Sequence, residues 1–264
     1  MPTVLEMLDM SDRVAIVTGG GTHLGRAMAS ALAELGASIY IASRRAELCK
    51  ETAEELRGHG LDVIGLGCDV TDEGQVDALV DRVMADRGRV DVMVANAGGA
   101  VTDSYIPDAS IDEFQRTVDL NLTGTYICAQ SAARVMIPER CGAIVTLGSI
   151  HGFLTSDKRM YEDLPTFKRS GPPYQAAKGG VINLTRGLAA ELGEYGITVN
   201  CISPGQIPRA TTDEGHVERS RQAIPLQRTG VSDDLKGAIA LLASPAGAWI
   251  TGHNLIVDGG WSIW

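Results

Sequence analysis

No stretch of about 18 uninterrupted apolar residues occurs in the 264-residue chain, so no membrane-spanning helix is expected. Residues 1–12 lack the charged flank and apolar run of a secretory leader, and none is expected. No lysine- or arginine-rich run stands out, and the formal charge is −10. A nucleic-acid partner, which needs a basic surface to neutralise phosphates, is therefore not expected either. The five cysteines, Cys49, Cys68, Cys128, Cys141 and Cys201, are scattered, odd in number and without close pairs. That spacing supports neither a disulfide framework nor a metal site. It fits small buried apolar residues in a reducing, cytoplasmic setting.

What the chain does contain is a regular alternation. Short apolar runs at residues 13–18, 38–42, 62–66, 90–95, 143–147, 198–202 and 254–257 read as strands. Between them, helical spacing of apolar residues marks segments near 24–35, 46–59, 76–84, 111–137, 174–194 and 235–242. The strand runs are continuously apolar rather than alternating, as expected when helices cover both faces of a sheet. No linker, repeat or low-complexity stretch interrupts the pattern. The fold class predicted is α/β: one doubly wound domain over residues 1–264, with about seven parallel strands. Ligands in such folds sit beyond the carboxyl ends of the strands. The loops at 19–23, 43–45, 69–70, 96–100, 148–173 and 204–224 should therefore surround one site.

The first strand runs into Gly19-Gly20-Gly21 and then a helix. A glycine turn lets backbone approach phosphate oxygens, and a helix start offers free N–H groups and a partial positive charge. The turn alone is also compatible with a tight connection of no further role. It is joined, in order, by Thr18-Gly19-Gly20-Gly21-Thr22-His23-Leu24-Gly25, Asp69-Val70, Asn96-Ala97-Gly98, Asn121, Ser149, Tyr174 with Lys178, Pro204-Gly205 and Asp258-Gly259-Gly260. That ordered set resembles the short-chain dehydrogenase/reductase family over nearly the whole chain.

The resemblance implies a Rossmann-type fold, an NAD(H) or NADP(H) cofactor, a small carbonyl or alcohol substrate, and a homo-oligomer, tetramer or dimer. It implies cofactor contacts from Gly19, Gly21, Thr22, His23, Leu24, Gly25, Ser43, Arg44, Arg45, Asp69, Val70, Asn96, Ala97, Gly98, Tyr174, Lys178, Pro204, Gly205 and Ile207. Substrate contacts are implied for Ser149, His151, Tyr174 and Arg209. Asn121 matches the residue that holds a water beside the lysine. Three positions depart from the pattern. His23 replaces the middle glycine of the turn, where it crowds the pyrophosphate, touches a phosphate or simply faces solvent. Ala95 replaces the first asparagine of the family's NNAG. Arg209 replaces a threonine that contacts the cofactor carboxamide.

An acidic residue ending the second strand would bind ribose hydroxyls and repel a 2′-phosphate, whereas arginine accepts that phosphate. Ser43-Arg44-Arg45 stands there, which favours NADP(H) over NAD(H). The alternative is that both arginines merely open the next helix.

Tyr174 and Lys178 lie four apart, on one face of a predicted helix. A free tyrosine has a pKa of about 10 and is a poor base at neutral pH. A neighbouring ammonium and a positive nicotinamide ring favour the phenolate, and bringing the pKa near 7 takes roughly 4 kcal/mol. Tyr174 would then exchange a proton with the carbonyl or hydroxyl oxygen that Ser149 holds. Tyr161 lacks a lysine four residues on, where Pro165 stands. A hydrolase built on Ser149 and His151 is disfavoured, because no G-x-S-x-G elbow surrounds the serine.

The Ser149-to-Tyr174 spacing is about twice the family's usual one, as in members resembling gluconate 5-dehydrogenase and other sugar-acid or polyol enzymes. Arg159, Lys168, Arg169 and Arg209 suggest a polar or anionic substrate, while Asp157, Glu162 and Asp163 nearly cancel that charge. A loop that contacts a neighbouring subunit is the alternative. Two other functions compete with the dehydrogenase: a non-catalytic dinucleotide-binding sensor or scaffold, and a different reaction such as epimerisation or dehydration.

Overall fold

The computed structural model describes residues 1–100, 105–164 and 169–264. Pro165 and Lys168 lie outside the described residues. The chain runs α1 (Val4–Leu8), β1 (Val14–Thr18), α2 (His23–Glu34), β2 (Ser38–Ser43), α3 (Ala46–Gly58), β3 (Val63–Gly67), α4 (Glu73–Arg87) and β4 (Val92–Ala95). It continues through α5 (Ile111–Val118), α6 (Gly124–Glu139), β5 (Gly142–Leu147), α7 (Pro172–Leu192), β6 (Ile197–Pro204), α8 (Glu214–Ala223), α9 (Lys236–Ala243) and β7 (Asn254–Val257). The strands form one sheet in the order β3-β2-β1-β4-β5-β6-β7. Every neighbouring pair is parallel. This is the Rossmann-type arrangement expected from the sequence.

The apolar strand runs follow from burial on both faces. In β1, Ala15 and Val17 point into one core layer with Met28 and Leu32 of α2, Cys49 and Ala53 of α3, and Ile239 and Leu242 of α9. Val14 and Ile16 point the other way, to Val76 and Val80 of α4, Ala129 and Ala132 of α6, and Leu188 of α7. Side chains alternate across a strand, so a strand between two helical layers must be apolar at every position. Among the described residues no helix is long and apolar enough to cross a membrane.

Three sequence expectations need correction. Cys141 is exposed, unlike the other four cysteines. The long helix expected over 111–137 is interrupted: Asp119–Thr123 form a π-helical turn between α5 and α6. The loop expected at 204–224 contains α8, capped by Asp213, whose side chain accepts from the N–H groups of Gly215 and His216.

Candidate active site

The parallel register brings the ends of β1, β2, β4, β5 and β6 to one edge. There the Thr18 hydroxyl donates to the Val94 carbonyl at 3.3 Å and accepts from the N–H groups of Asn96 and Ala97, each at 3.2 Å. Asn96 Nδ2 donates to the Thr18 carbonyl at 2.8 Å. These bonds fix the glycine turn against β4. Gly19 is left-handed, with φ +66°, and a Cβ there would fall 2.7 Å from Asn96 Nδ2. A Cβ on Gly25 would press on the Gly19 carbonyl and on Asn96. At the start of α2, Thr22 makes no side-chain capping bond, so the first amides keep no side-chain partner. A turn this bare of side chains, opening on a free helix start, fits a dinucleotide pyrophosphate.

His23 keeps a glycine-like backbone, φ +50°, at the position where the family carries glycine. It is half-buried, and its Nε2 lies 3.4 Å from the Pro208 carbonyl. The solvent-facing alternative is therefore wrong. The imidazole tethers the phosphate turn to the segment after β6. Burial is the main cause holding its pKa below the usual histidine value, the Pro208 carbonyl opposes that, and the charge of Arg209 adds to it.

Lys178 is 4% exposed, and its Nζ donates to the Leu147 carbonyl at 2.7 Å. Burial pulls its pKa down to about 8. The amine lies 5.7 Å from the centre of the Tyr174 ring, one turn earlier on α7. Gly98 permits this approach, since a Cβ there would meet Asn121 Oδ1 at 2.7 Å and Lys178 Nζ at 3.4 Å. Burial raises the Tyr174 pKa, while a hydrogen bond with the Ser149 hydroxyl and the charge of Arg209 lower it. Two cations thus stand near the phenol: Arg209, whose charge lowers its pKa, and Lys178, whose ammonium lies over the ring while donating to the β5 carbonyl. Ser149 is buried and accepts from the His151 N–H at 3.1 Å. The His151 ring meets the Tyr174 ring edge-on at 6.5 Å. Its Nδ1 is buried without a hydrogen-bond partner among the described residues.

Asn121 is buried in the π-helical turn. Its Oδ1 accepts from the Gly99 N–H at 3.0 Å, and its Nδ2 donates to the Gly99 and Thr117 carbonyls at 2.8 and 2.9 Å. Its side chain therefore holds the loop after β4, an arrangement the family motif did not reveal.

One cleft of about 280 Å³ gathers most of the expected residues: Gly19, Gly21, Thr22, His23, Leu24, Gly25, Ser43, Arg45, Asn96, Ala97, Gly98, Ser149, Tyr174, Lys178, Pro204, Gly205, Ile207 and Arg209. Arg44 and Asp69 do not line it. Arg44 is exposed, and Asp69 Oδ1 is engaged by the N–H and hydroxyl of Thr71, at 3.0 and 2.9 Å. Val70 is core, and Asn121 and His151 stand behind the wall. Gly99, Leu147 and Gly148 also line the cleft. Gly99 and Gly148 fall in loops expected to surround the site, although no individual contact was expected of them, and Leu147, the last residue of β5, was missed.

The segment between Ser149 and Tyr174 packs against α8. The Tyr161 and His216 rings lie 4.8 Å apart, and His216 Nδ1 is 3.3 Å from the Met160 carbonyl. Arg219 donates to the Arg159 and Glu162 carbonyls. Residues 159–162 and α8 thus pack against each other.

A family model described as Enoyl-(Acyl carrier protein) reductase matches residues 21–262. Cis-4-hydroxycyclohexanecarboxylate dehydrogenase of Sinomonas cyclohexanicum is 35% identical, over 96% of this chain and 97% of its own. A solved short-chain type dehydrogenase/reductase from Mycobacterium marinum superposes with a TM-score of 0.88 at 33% identity, covering 99% of both chains. The NADPH-dependent 3-quinuclidinone reductase from Rhodotorula rubra superposes at 0.90 with 30% identity, covering 100% of this chain and 97% of that one. With the turn, the tyrosine–lysine pair and the sheet order in agreement, the chain belongs to the short-chain dehydrogenase/reductase family and is an oxidoreductase of that family.

Proposed function

We propose that the protein interconverts a secondary alcohol and a ketone with NADP(H), on a polar substrate of the sugar-acid or polyol kind, as one functional unit over residues 1–264. The observation that carries this reading is the meeting of Ser149, Tyr174 and Lys178 in the cleft that opens from the glycine turn. When bound, the nicotinamide supplies or accepts the hydride. Tyr174 gives its proton to the carbonyl oxygen in reduction and takes the hydroxyl proton in oxidation. Ser149 holds that oxygen and stabilises the charge developing on it. Lys178 orients the cofactor ribose and adds positive charge near the phenol. Asn121 keeps the Gly99 loop, and with it the lysine's surroundings, in place. Arg209 faces the substrate, His151 backs Ser149 and Tyr174 from behind the cleft wall, and Arg45 supports the preference for the phosphorylated cofactor. A homo-oligomer is part of the proposal, in keeping with the exposed Trp249, Ile263 and Trp264.

The test follows nicotinamide absorbance with ketones, polyols and sugar acids, offered NADPH and NADH in parallel. Tyr174→Phe should lose roughly 1000-fold in turnover, the worth of a positioned general acid, while still binding NADPH. Turnover equal to the parent protein would refute the assignment. Tight NADPH binding without turnover on any substrate would favour the sensor reading.

A further inference from the structure

The chain carries a formal charge of −10, yet among the described residues no aspartate or glutamate lines the cleft. Its charged lining is Arg45, Lys178 and Arg209. Each cation has a different position. Arg45 follows β2, at the end of the cleft away from Tyr174. Lys178 is buried, with one of its three N–H donors on the Leu147 carbonyl. Arg209 follows β6, beside the phenol.

Two arginines of the segment between Ser149 and Tyr174 are engaged. Arg159 is held by the Asp157 carboxylate at 2.6 Å. Arg169 lies over the Tyr105 ring, 4.1 Å from its centre. Of these three arginines only Arg209 lines the cleft. It is exposed and makes no ion pair among the described residues. Its backbone N–H is bonded to the Thr212 hydroxyl at 2.9 Å, which fixes the main chain and leaves the guanidinium to a ligand. That guanidinium is near enough to the reacting centre to act on the Tyr174 phenol.

We infer that Arg209 receives a carboxylate of the substrate, so that the enzyme selects hydroxy or keto acids over neutral polyols and ketones. The inference rests on the dehydrogenase reading and narrows its substrate class. A planar guanidinium matches a carboxylate two-pronged, a geometry that a lysine ammonium does not reproduce. The acid-free lining removes the repulsion such a ligand would otherwise meet, and the cationic cleft steers anions toward it.

The experiment uses the full-length protein and three probes: 4-oxopentanoate, 5-oxohexanoate and 4-oxocyclohexanecarboxylate, each beside its primary amide. Calorimetric titration, with and without saturating NADP+, reads binding independently of turnover. At least one acid should bind about 10-fold tighter than its amide, since a two-pronged charge-assisted pair is stronger than the amide's neutral hydrogen bonds. Arg209→Met should collapse that ratio to near unity, and Arg209→Lys should restore only part of it. Circular dichroism confirms that both variants are folded. Equal affinity for every acid and its amide would overturn the inference. So would an unchanged ratio in Arg209→Met, or a loss confined to NADPH affinity, which would assign the guanidinium to the cofactor. Selective acid binding without turnover on either cofactor would instead sink the dehydrogenase reading and leave the carboxylate site standing.

Discussion

The choice between cofactors turns on Arg45 rather than Arg44, and the two can be separated. Both are exposed at the end of β2, but only Arg45 lines the cleft. It also occupies the N-cap of α3, so a phosphate beside it meets the free amides of a helix start. A full charge pair at about 4 Å is worth about 4 kcal/mol at an effective dielectric of 20 and about 1 kcal/mol in bulk water. Arg45 is solvent-exposed, so the value lies toward the lower figure, at about 1.5–2 kcal/mol. Arg45→Ala should therefore raise the Kd for NADPH by about 10- to 30-fold. NADH, which lacks the 2′-phosphate, should lose no more than about 2-fold on the same scale. Arg44→Ala should leave both affinities close to the parent values. The assay is fluorescence titration of each dinucleotide at low and high salt. Because the pair is exposed, the NADPH penalty should shrink as the screening length falls from about 10 Å at 0.1 M salt to about 3 Å at 1 M. Equal losses for NADPH and NADH, or a larger effect at Arg44, would refute the reasoning.

Two further predictions concern titrating groups. Lys178 has its pKa pulled to about 8 by burial, so its charged form prevails below that pH, while burial keeps Tyr174 protonated through the neutral range. The kcat/KM for reduction should be level below pH 8 and fall above it as the ammonium loses its proton; a profile level to about pH 10, the ordinary lysine range, would contradict this. Asp91 is 7% exposed; it accepts from the Val14 N–H at 2.9 Å and from Arg13 and Arg89 at 2.9 and 2.6 Å. Asp91→Ala strands those donors and should lower stability by about 3 kcal/mol in urea unfolding near neutral pH. The Asp91 pKa is depressed in the folded protein, burial opposing the combined effect of Arg89, the Val14 amide and Arg13. Its contribution is therefore complete above the unfolded value of about 3.9 and lost as pH falls through the lower folded value. Parent and variant should converge in stability in strong acid, and a difference that persists there would point to packing instead.

The sheet was legible because the strands are mainly apolar without alternation and each long helix shows spaced apolar residues. That pattern exists only where two helical layers must be buried at once. The cleft was legible because strand ends carry glycine, asparagine or serine, residues whose backbone and short side chains make the turns. What escaped was set by contacts distant in sequence. Nothing local to Asn121 says that its amide will grip Gly99, 22 residues away. Arg169 gives no local sign of stacking on Tyr105 either. By contrast, α1 and α8 escaped although signals were present. The Thr3–Glu6 capping box closes on itself at the start of α1. Asp213 caps α8, where the segment had been set aside as a loop because its apolar residues are sparse.

Four exceptions to local rules gather in one place, while left-handed Asp12 and Arg140 lie at the opposite ends of β1 and β5. His23 holds a left-handed backbone that costs a side-chain-bearing residue roughly 1–2 kcal/mol. Asn121 sits in a π-helical turn, and among the described residues Lys178 is buried without a carboxylate and His151 Nδ1 without a hydrogen-bond partner. All four surround the cleft in which Tyr174 lies, and none improves the packing of the core. A chain selected for stability alone would carry glycine at 23, a regular helix through 121 and an apolar residue at 178. Each departure becomes intelligible once the cleft must hold a phosphate-bearing cofactor and move a proton. His23 ties the phosphate turn to the Pro208 segment from which Arg209 projects, so the cofactor end and the substrate end of the cleft share one mechanical link. That link exists only because the left-handed position carries an imidazole instead of the glycine its backbone prefers.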